Sequence, residues 1–431
     1  MNRLLKNTLL LTFCFSLSLL GACSKKDNNS GGGDTITLVS TNPEENAIIA
    51  TTTGTITFVF DQAIYVVDKT KITLNGDPVS STSLNGKSLN IGINSLTGGT
   101  DYTLLIDKGA LKDSYNNLNK EAFSLKFKTK EVFIGGSVSQ HGFLSVKGTT
   151  LVDKDGKDIV LHGVSLGWHN WWPRFYNANT VAWLNSDWKC SVLRAAIGVD
   201  PSTKDGYLAN PTFALNCLYT VVDAAIKNDM YVIVDWHTES IYLDEAKIFF
   251  QTVAEKYKDR PNLIYELYNE PNGPLWPDVK AYAEEVIGAI RAIAPKNIIL
   301  VGSPQWDQAL DKPAADPIKD YDNLMYTLHF YAATHGQWLR DVATAALQKG
   351  LPIFVTECGG MESSGNGPIN QTEWQAWIQW MSANEISWAA WSLSDKAETC
   401  SMIKDTSSPV SGWTDNDLKQ WGQIVRTELR K

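Results

Sequence analysis

Hydrophobic positions along this chain follow two regimes. From residue 35 to about residue 130 they come as short β-type runs broken by turn residues, at 35–39, 55–60, 71–74, 88–93, 102–106 and 123–128. Runs of this length and spacing predict a small all-β sandwich. From residue 142 onward, strand-like runs at 159–165, 191–197, 231–237, 263–270, 298–303, 325–331, 353–357 and 388–393 alternate with amphipathic segments such as 213–227, 244–258, 278–294, 336–349 and 372–384. Eight β-then-α units predict a (β/α)₈ barrel, with 142–161 as a hairpin closing its bottom. The expected division is therefore a sandwich over 35–132, a linker over 133–140 containing Gly135-Gly136, and a barrel over 141–431.

The apolar text breaks most sharply at Tyr265-Glu266-Leu267-Tyr268-Asn269-Glu270-Pro271, where a buried-strand pattern ends in an amide, a carboxylate and a proline. Pro271 cannot donate to a ladder and restricts the residue before it, which places Glu270 at the last ladder position. Reactive groups in such barrels stand at the C-terminal strand ends. Here those ends carry Trp168 and His169, Arg194, His237, Asn269 with Glu270, Trp306, His329 with Tyr331, Glu357, and Trp391. Two carboxylates on strands four and seven, inside a ring of His, Tyr, Arg and Trp, suit cleavage of a glycosidic bond. Glu266 faces the same way as Glu270 but, at ~3.3 Å per residue, about 13 Å deeper, and reads as a structural ion pair.

Composition narrows the field. The net charge of -9, with no long basic run, argues against a nucleic-acid partner and is compatible with a neutral ligand. There is no C-x-x-C, no His pair at zinc spacing and no nucleotide-binding glycine loop, so no metal and no cofactor is expected. The Asp153-Lys154-Asp155-Gly156-Lys157-Asp158 run has Lys157 and Val164 where a calcium loop needs oxygen ligands, and reads as a hairpin turn. Gly163-Val164-Ser165-Leu166-Gly167 matches a serine-esterase elbow, but that motif needs a helix after the Ser, and an aromatic segment with Pro173 follows instead. All 16 tryptophans lie between Trp168 and Trp421, and the sandwich's own aromatics (Phe58, Phe60, Tyr65, Tyr102, Tyr115, Phe123, Phe127) fall mostly at core-type strand positions. A spacer is favoured over a sugar-binding module.

Arg3 and Lys6 precede an apolar run over 8–20, too short to span a bilayer, followed by Leu20-Gly21-Ala22-Cys23. This resembles a bacterial lipoprotein signal over 1–22. The resemblance implies that Cys23 becomes a lipid-anchored N-terminus on a bacterial membrane, the outer one being expected, facing periplasm or exterior. Residues 23–34, with Gly31-Gly32-Gly33, read as a flexible tether. Thr41-Asn42-Pro43, the stretch from Phe58 to Ile64, Leu111-Lys112-Asp113 and Phe123-Ser124-Leu125-Lys126-Phe127 resemble bacterial Ig-like domains.

The barrel's resemblance is more specific. Leu193-Arg194-Ala195-Ala196, Asp235-Trp236-His237, Asn269-Glu270-Pro271, His329-Phe330-Tyr331, Phe354-Val355-Thr356-Glu357 and Trp388-Ala389-Ala390-Trp391-Ser392-Leu393 together resemble family 5 glycoside hydrolases, in their bacterial endoglucanase branch. That resemblance implies a retaining endo-β-1,4-glucanase with a β-glucan as partner. It implies Glu270 as acid/base, Glu357 as nucleophile, Asn269 as partner of the sugar 2-hydroxyl, and Arg194 and Tyr331 as orienters of Glu357. His237 and His329 would contact the cleavage-site sugar or Glu270. Trp391 would form the floor under that sugar and Trp306 a platform on the leaving-group side. Lys396 and Glu398 match sugar-binding positions beyond the cleavage site, and the loop with His169 and Trp171 departs from other members. Mixed-linkage β-glucan, xyloglucan and mannan remain open as substrates, as does a non-catalytic glycan-binding role. Cys358 and Cys400, in neighbouring strand-end loops of an exported protein, are expected to form a disulfide. The chain is expected to be a monomer.

Overall fold

A computed structural model describes residues 35–49, 53–94, 96–130 and 132–431. The leader, Cys23 and the tether lie outside the described residues. Leu38–Asn42, Gly54–Phe60, Ser88–Ile93 and Ser81–Asn85 form one antiparallel sheet, with Ser81–Asn85 and Leu38–Asn42 at its edges. Ala47–Ile49, Phe123–Thr129, Asp101–Ile106, Ile72–Leu74 and Asp77–Pro78 form the opposing one, and Ile64–Val66 pairs with Leu111–Asp113. Alternation turns Ile56, Phe58 and Phe60 inward against Leu89, Ile91, Leu104, Ile106, Leu125 and Phe127. Tyr65 and Tyr115, expected mostly as core, are 48% and 78% exposed. The polar edge strand Ser81–Asn85 has no apolar run to announce it.

The expected linker is largely structured. Val132–Ile134 pairs in parallel with Asp158–Val160, joining Thr150–Val152 and Ser145–Lys147 in a four-stranded sheet below the barrel. Lys130 Nζ meets Glu385 at 2.8 Å and Asp158 at 3.0 Å, tying the end of the sandwich to the barrel. The run expected as the first barrel strand, 159–165, divides between this bottom sheet and the wall. Asp153 Oδ1 accepts the amides of Asp155 and Lys157, and Gly156 takes a left-handed φ of 76°, which is a turn and not an ion loop.

Eight parallel strands close the barrel: β1 His162–Leu166, β2 Val192–Gly198, β3 Tyr231–His237, β4 Leu263–Glu266, β5 Ile299–Val301, β6 Leu324–Tyr331, β7 Ile353–Gly359 and β8 Trp388–Leu393, with β8 pairing back onto β1. Helices Pro211–Lys227, Leu243–Lys256, Trp276–Arg291, Gln337–Gln348 and Gln371–Ala383 cover the outside. Two-residue periodicity divides each strand. On β2, Leu193, Ala195 and Ile197 pack among the outer residues, and on β3 Val232, Val234 and Trp236 do the same. The inner positions near the bottom are apolar: Val192, Tyr231, Ile233, Ile264, Leu300, Met325 and Phe354 cluster with Leu144, Leu151 and Ile159 of the bottom sheet. One layer higher the inner positions turn charged. Ser165 of the esterase-like motif is buried on β1, its hydroxyl spent on Leu166 O, so it is no exposed nucleophile.

Candidate active site

Arg194 organises the charged layer. It is fully buried on β2, and its guanidinium donates from Nε to Glu266 Oε2 at 2.7 Å, from Nη1 to Glu357 Oε2 at 2.9 Å and from Nη2 to Asn269 Oδ1 at 2.6 Å. Nη2 also lies 3.0 Å from Asp235 Oδ2. Burial opposes the charge, but Asp235, Glu266 and Glu357 together raise its affinity for the proton well above the ordinary value. Burial likewise opposes charge on Glu266, yet Arg194 outweighs it and holds the carboxyl at about 2. Glu266 is thus the expected ion pair, and its side chain reaches the catalytic layer: Oε1 lies 3.8 Å from His329 Nε2, whose Nδ1 meets Glu270. β4 ends at Glu266: Leu267 N still reaches Leu300 O at 3.0 Å, but residues 268–270 leave the regular ladder, with Asn269 N reaching Trp236 O and Glu270 N reaching Thr238 O, both at 3.2 Å. Glu270 stands beyond the strand, not on its last rung.

Glu357 of β7 accepts from Arg194 on one oxygen and from the Tyr331 hydroxyl on the other, at 2.6 Å. Burial and the Glu357 charge push the Tyr331 phenol well above its ordinary range, so it remains the donor. His329 Nδ1 meets Glu270 Oε1 at 2.9 Å, and its Nε2 meets Thr356 Oγ1 at 2.8 Å. Thr356 and Glu357 are consecutive yet both face inward, which strict alternation forbids. The register shows how: Thr327 pairs with Phe354 but His329 with Glu357, so β7 carries an extra residue against β6. Cys358 then points outward, its Sγ against Ala389 O, while Cys400 lies beside Glu398. Both are free, as are Cys190 and Cys217, and the expected disulfide is absent. Glu270, His329 and Glu357 each bring one polar atom within 4.8 Å of the others. Such a triangle could hold a cation, but its atoms are already bonded to each other, Arg194 and Tyr331.

His237 stacks on Trp391 with ring centroids 5.4 Å apart, and its Nδ1 meets Asp235 Oδ2 at 2.7 Å. Burial, then Arg194, lowers His237 to about 3, so the ring is neutral. Trp168, His237, Thr238, Glu239, Asn269, Glu270, Glu357 and Trp391 line a cleft of about 140 Å³. Sharing Trp168 and Trp391, it continues into one of about 620 Å³ lined by Trp171, Trp172, Tyr331, Lys396, Glu398 and Cys400 among others. Lys396 and Glu398 form an ion pair there. Trp171 is 55% exposed in this cleft. Trp306 is 43% exposed beside Glu270's segment, its backbone N–H reaching Pro271 O at 3.3 Å, outside both clefts. His169 does not line them either. It is buried, its Nδ1 accepts from Gly198 N at 3.2 Å, its Nε2 donates to Asp205 O at 3.0 Å, and burial lowers it to about 4. It holds a loop and does not face the groove. A separate cavity of about 500 Å³, near Val146, Tyr321 and Leu351, lies toward the bottom, away from the carboxylates.

Sequence reasoning gave no role to Asp235, Thr356, Asp307 and Glu239, and placed Trp168 at a strand end without assigning it one. Asp235 is two residues before His237 on one strand, so the shared face was a usable signal. Thr356 carried none, because only the bulge turns it inward.

A barrel with two opposed carboxylates, one braced by Arg and Tyr and the other by His, in a Trp-lined groove defines a glycoside hydrolase type of site. The chain belongs to glycosyl hydrolase family 5: its cellulase family profile matches residues 152–397, and a bacterial Ig-like domain profile matches 33–129. It is 43% identical over 295 residues to an endoglucanase of Clostridium saccharobutylicum, covering 67% of this chain and 65% of that protein. It is 51% identical over 264 residues to endoglucanase Z of Dickeya dadantii, covering 60% of this chain and 61% of that one. The chain thus spans less than two thirds of either relative's length. The catalytic domain of Thermobifida fusca endoglucanase Cel5A, solved with cellotetraose, superposes with a TM-score of 0.65 at 32% identity, covering 69% of this chain and all of that one.

Proposed function

We propose that this chain is a retaining endo-β-1,4-glucanase acting on cellulose-like glucans. The observation that carries the reading is the close approach of Glu270 and Glu357, one carboxylate oxygen of each within 4.8 Å of the other, with the tryptophan-lined cleft on one side and exposed Trp306 on the other. Carboxyl pairs at ~5–5.5 Å attack carbon directly, whereas inverting pairs need roughly 6.5–9.5 Å to admit a water. Glu357 attacks the anomeric carbon as the bond to the leaving oxygen breaks, and the Glu270 side supplies that oxygen's proton. Water then returns a proton to Glu270 and its hydroxyl to the anomeric carbon, releasing Glu357. Trp306 on one side and Trp168, Trp171 and Trp391 on the other suit a chain that extends past the scissile bond both ways, hence internal cleavage. A reducing-end assay on soluble carboxymethyl cellulose tests this, with Glu270→Gln and Glu357→Gln each expected to lose activity by ~10³-fold or more. Wild-type protein active on mannan or xyloglucan but inert on carboxymethyl cellulose would move the substrate to those glycans.

For the remainder of the chain, Cys23 as a lipid anchor to the outer membrane is supported by the run before it, and the sandwich is read as a spacer on a monomeric enzyme. Cys23→Ser should shift the protein from the detergent phase to the aqueous phase; unchanged partitioning would remove the anchor.

A further inference from the structure

Next to the acid/base stands a carboxylate to which the mechanism above gives no part. Asp307 is fully buried, in the short helix Pro304–Asp307 after β5. Gln305, Trp306 and Asp307 are three successive non-glycine residues in the left-handed region, with φ of 59°, 55° and 60°. Each costs of order 1 kcal/mol or more, and such a run persists only where the surroundings impose it. The twist does one thing visibly: it turns the Trp306 ring out to solvent and the Asp307 carboxylate in. Asp307 Oδ1 accepts the Ser303 amide at 2.5 Å, while Oδ2 lies 3.4 Å from His329 Nε2, with the Thr327 hydroxyl also facing the carboxylate.

Proton bookkeeping around His329 makes this contact matter. The Thr356 hydroxyl donates to Glu266 Oε1 at 2.7 Å, so toward His329 Nε2 at 2.8 Å it can only accept. Nε2 therefore carries a hydrogen, and Nδ1 faces Glu270 Oε1 with one proton to share between them. We propose that Asp307 is a positioning residue of the acid/base, holding His329 so that the Glu270–His329 pair keeps the proton the leaving oxygen needs. This rests on the reading of Glu270 as acid/base. The groups facing His329 are Glu266 and Glu270 from the β4 side, Asp307 from after β5, and Glu357 on β7; those facing Asp307 are His329, Glu270 and Tyr268. Burial alone would strip His329 of charge, but Asp307, then Glu266 and Glu270, hold it well above the usual imidazole range.

Burial pushes the Asp307 carboxyl up and His329 opposes that push; Asp307→Asn keeps the shape and the Ser303 contact while removing any charge the carboxylate carries. On cellotetraose, the alkaline limb of kcat/KM should move about one pH unit or more toward acid, a ~10-fold loss above the limb. With 2,4-dinitrophenyl β-cellobioside, whose departure needs no proton, kcat/KM should keep its wild-type alkaline profile. NMR of the His329 imidazole should show it losing its proton at lower pH in Asp307→Asn than in wild type. Equal losses on both substrates with an unmoved limb, or an unchanged His329 titration, would overturn the proposal. Wild-type protein inert on cellotetraose would overturn the enzymatic reading instead, and the NMR comparison would still decide what Asp307 does to His329.

Discussion

At the scale of single residues, Glu270 and Glu357 differ in their partners, one bonded to His329, the other to Arg194 and Tyr331, and the proposed division of the chemistry rests on that difference. Replacing Glu270 by Ala should therefore cripple natural glucans by ~10²–10⁴-fold yet spare the first step on an activated aryl cellobioside, read as a burst of released phenol. Tyr331→Phe leaves one Glu357 oxygen without its donor. A charge-assisted bond is worth ~1.5–3 kcal/mol, so kcat/KM should fall roughly 10- to 100-fold in steady-state assays. Both carboxylates were legible in the sequence, because a barrel strand that ends in a polar residue announces a site. The thiols were not: adjacency of loops brought Cys358 and Cys400 to mind, but the face on which Cys358 lies depends on a bulge that no run of letters signals.

At the scale of elements, the barrel's two-residue periodicity was readable and its departures were not. Glu266, placed by ideal strand rise, falls far below Glu270; in the structure both carboxylates reach His329, and Glu266 alone also bonds the Arg194 guanidinium. The layer these elements build, Arg194 with Asp235, Glu266 and Glu357, is buried and mutually dependent. Arg194→Ala would leave acidic groups unpaired inside the barrel. Chemical denaturation should register a loss on the order of 3–5 kcal/mol, along with activity. A loss under ~1 kcal/mol would mean that water or protonation of Asp235 compensates.

For the whole molecule, buried neutral histidines set the acid limit. His169 and His335 are lowered to about 4 and His237 to about 3, all by burial first. Unfolded, each binds a proton near pH 6.5, so below that pH the unfolded state holds more protons and stability falls as pH falls, down to these folded values. Each contributes a slope of about 1.4 kcal/mol per pH unit in that window. His329, raised in the fold, acts oppositely, its stabilisation being present below pH 6.5 and lost at higher pH. Melting temperature should drop between pH 6.5 and 4, less steeply in His169→Gln. The sandwich was legible as a separate β unit, but its attachment was not, since Val132–Ile134 is too short a strand to read and Lys130's partners lie far along the chain. Protein beginning near Ser137 should hydrolyse soluble glucan at full-length rates but melt lower than protein beginning at Lys130.

The central claim is that Glu357 attacks the sugar directly while Glu270 supplies the proton. Proton NMR of cellopentaose hydrolysis, recorded before the anomers equilibrate, tests it most directly. The β-anomer should appear first, with the α-anomer growing only at the rate of mutarotation; an α-anomer formed first would contradict the account.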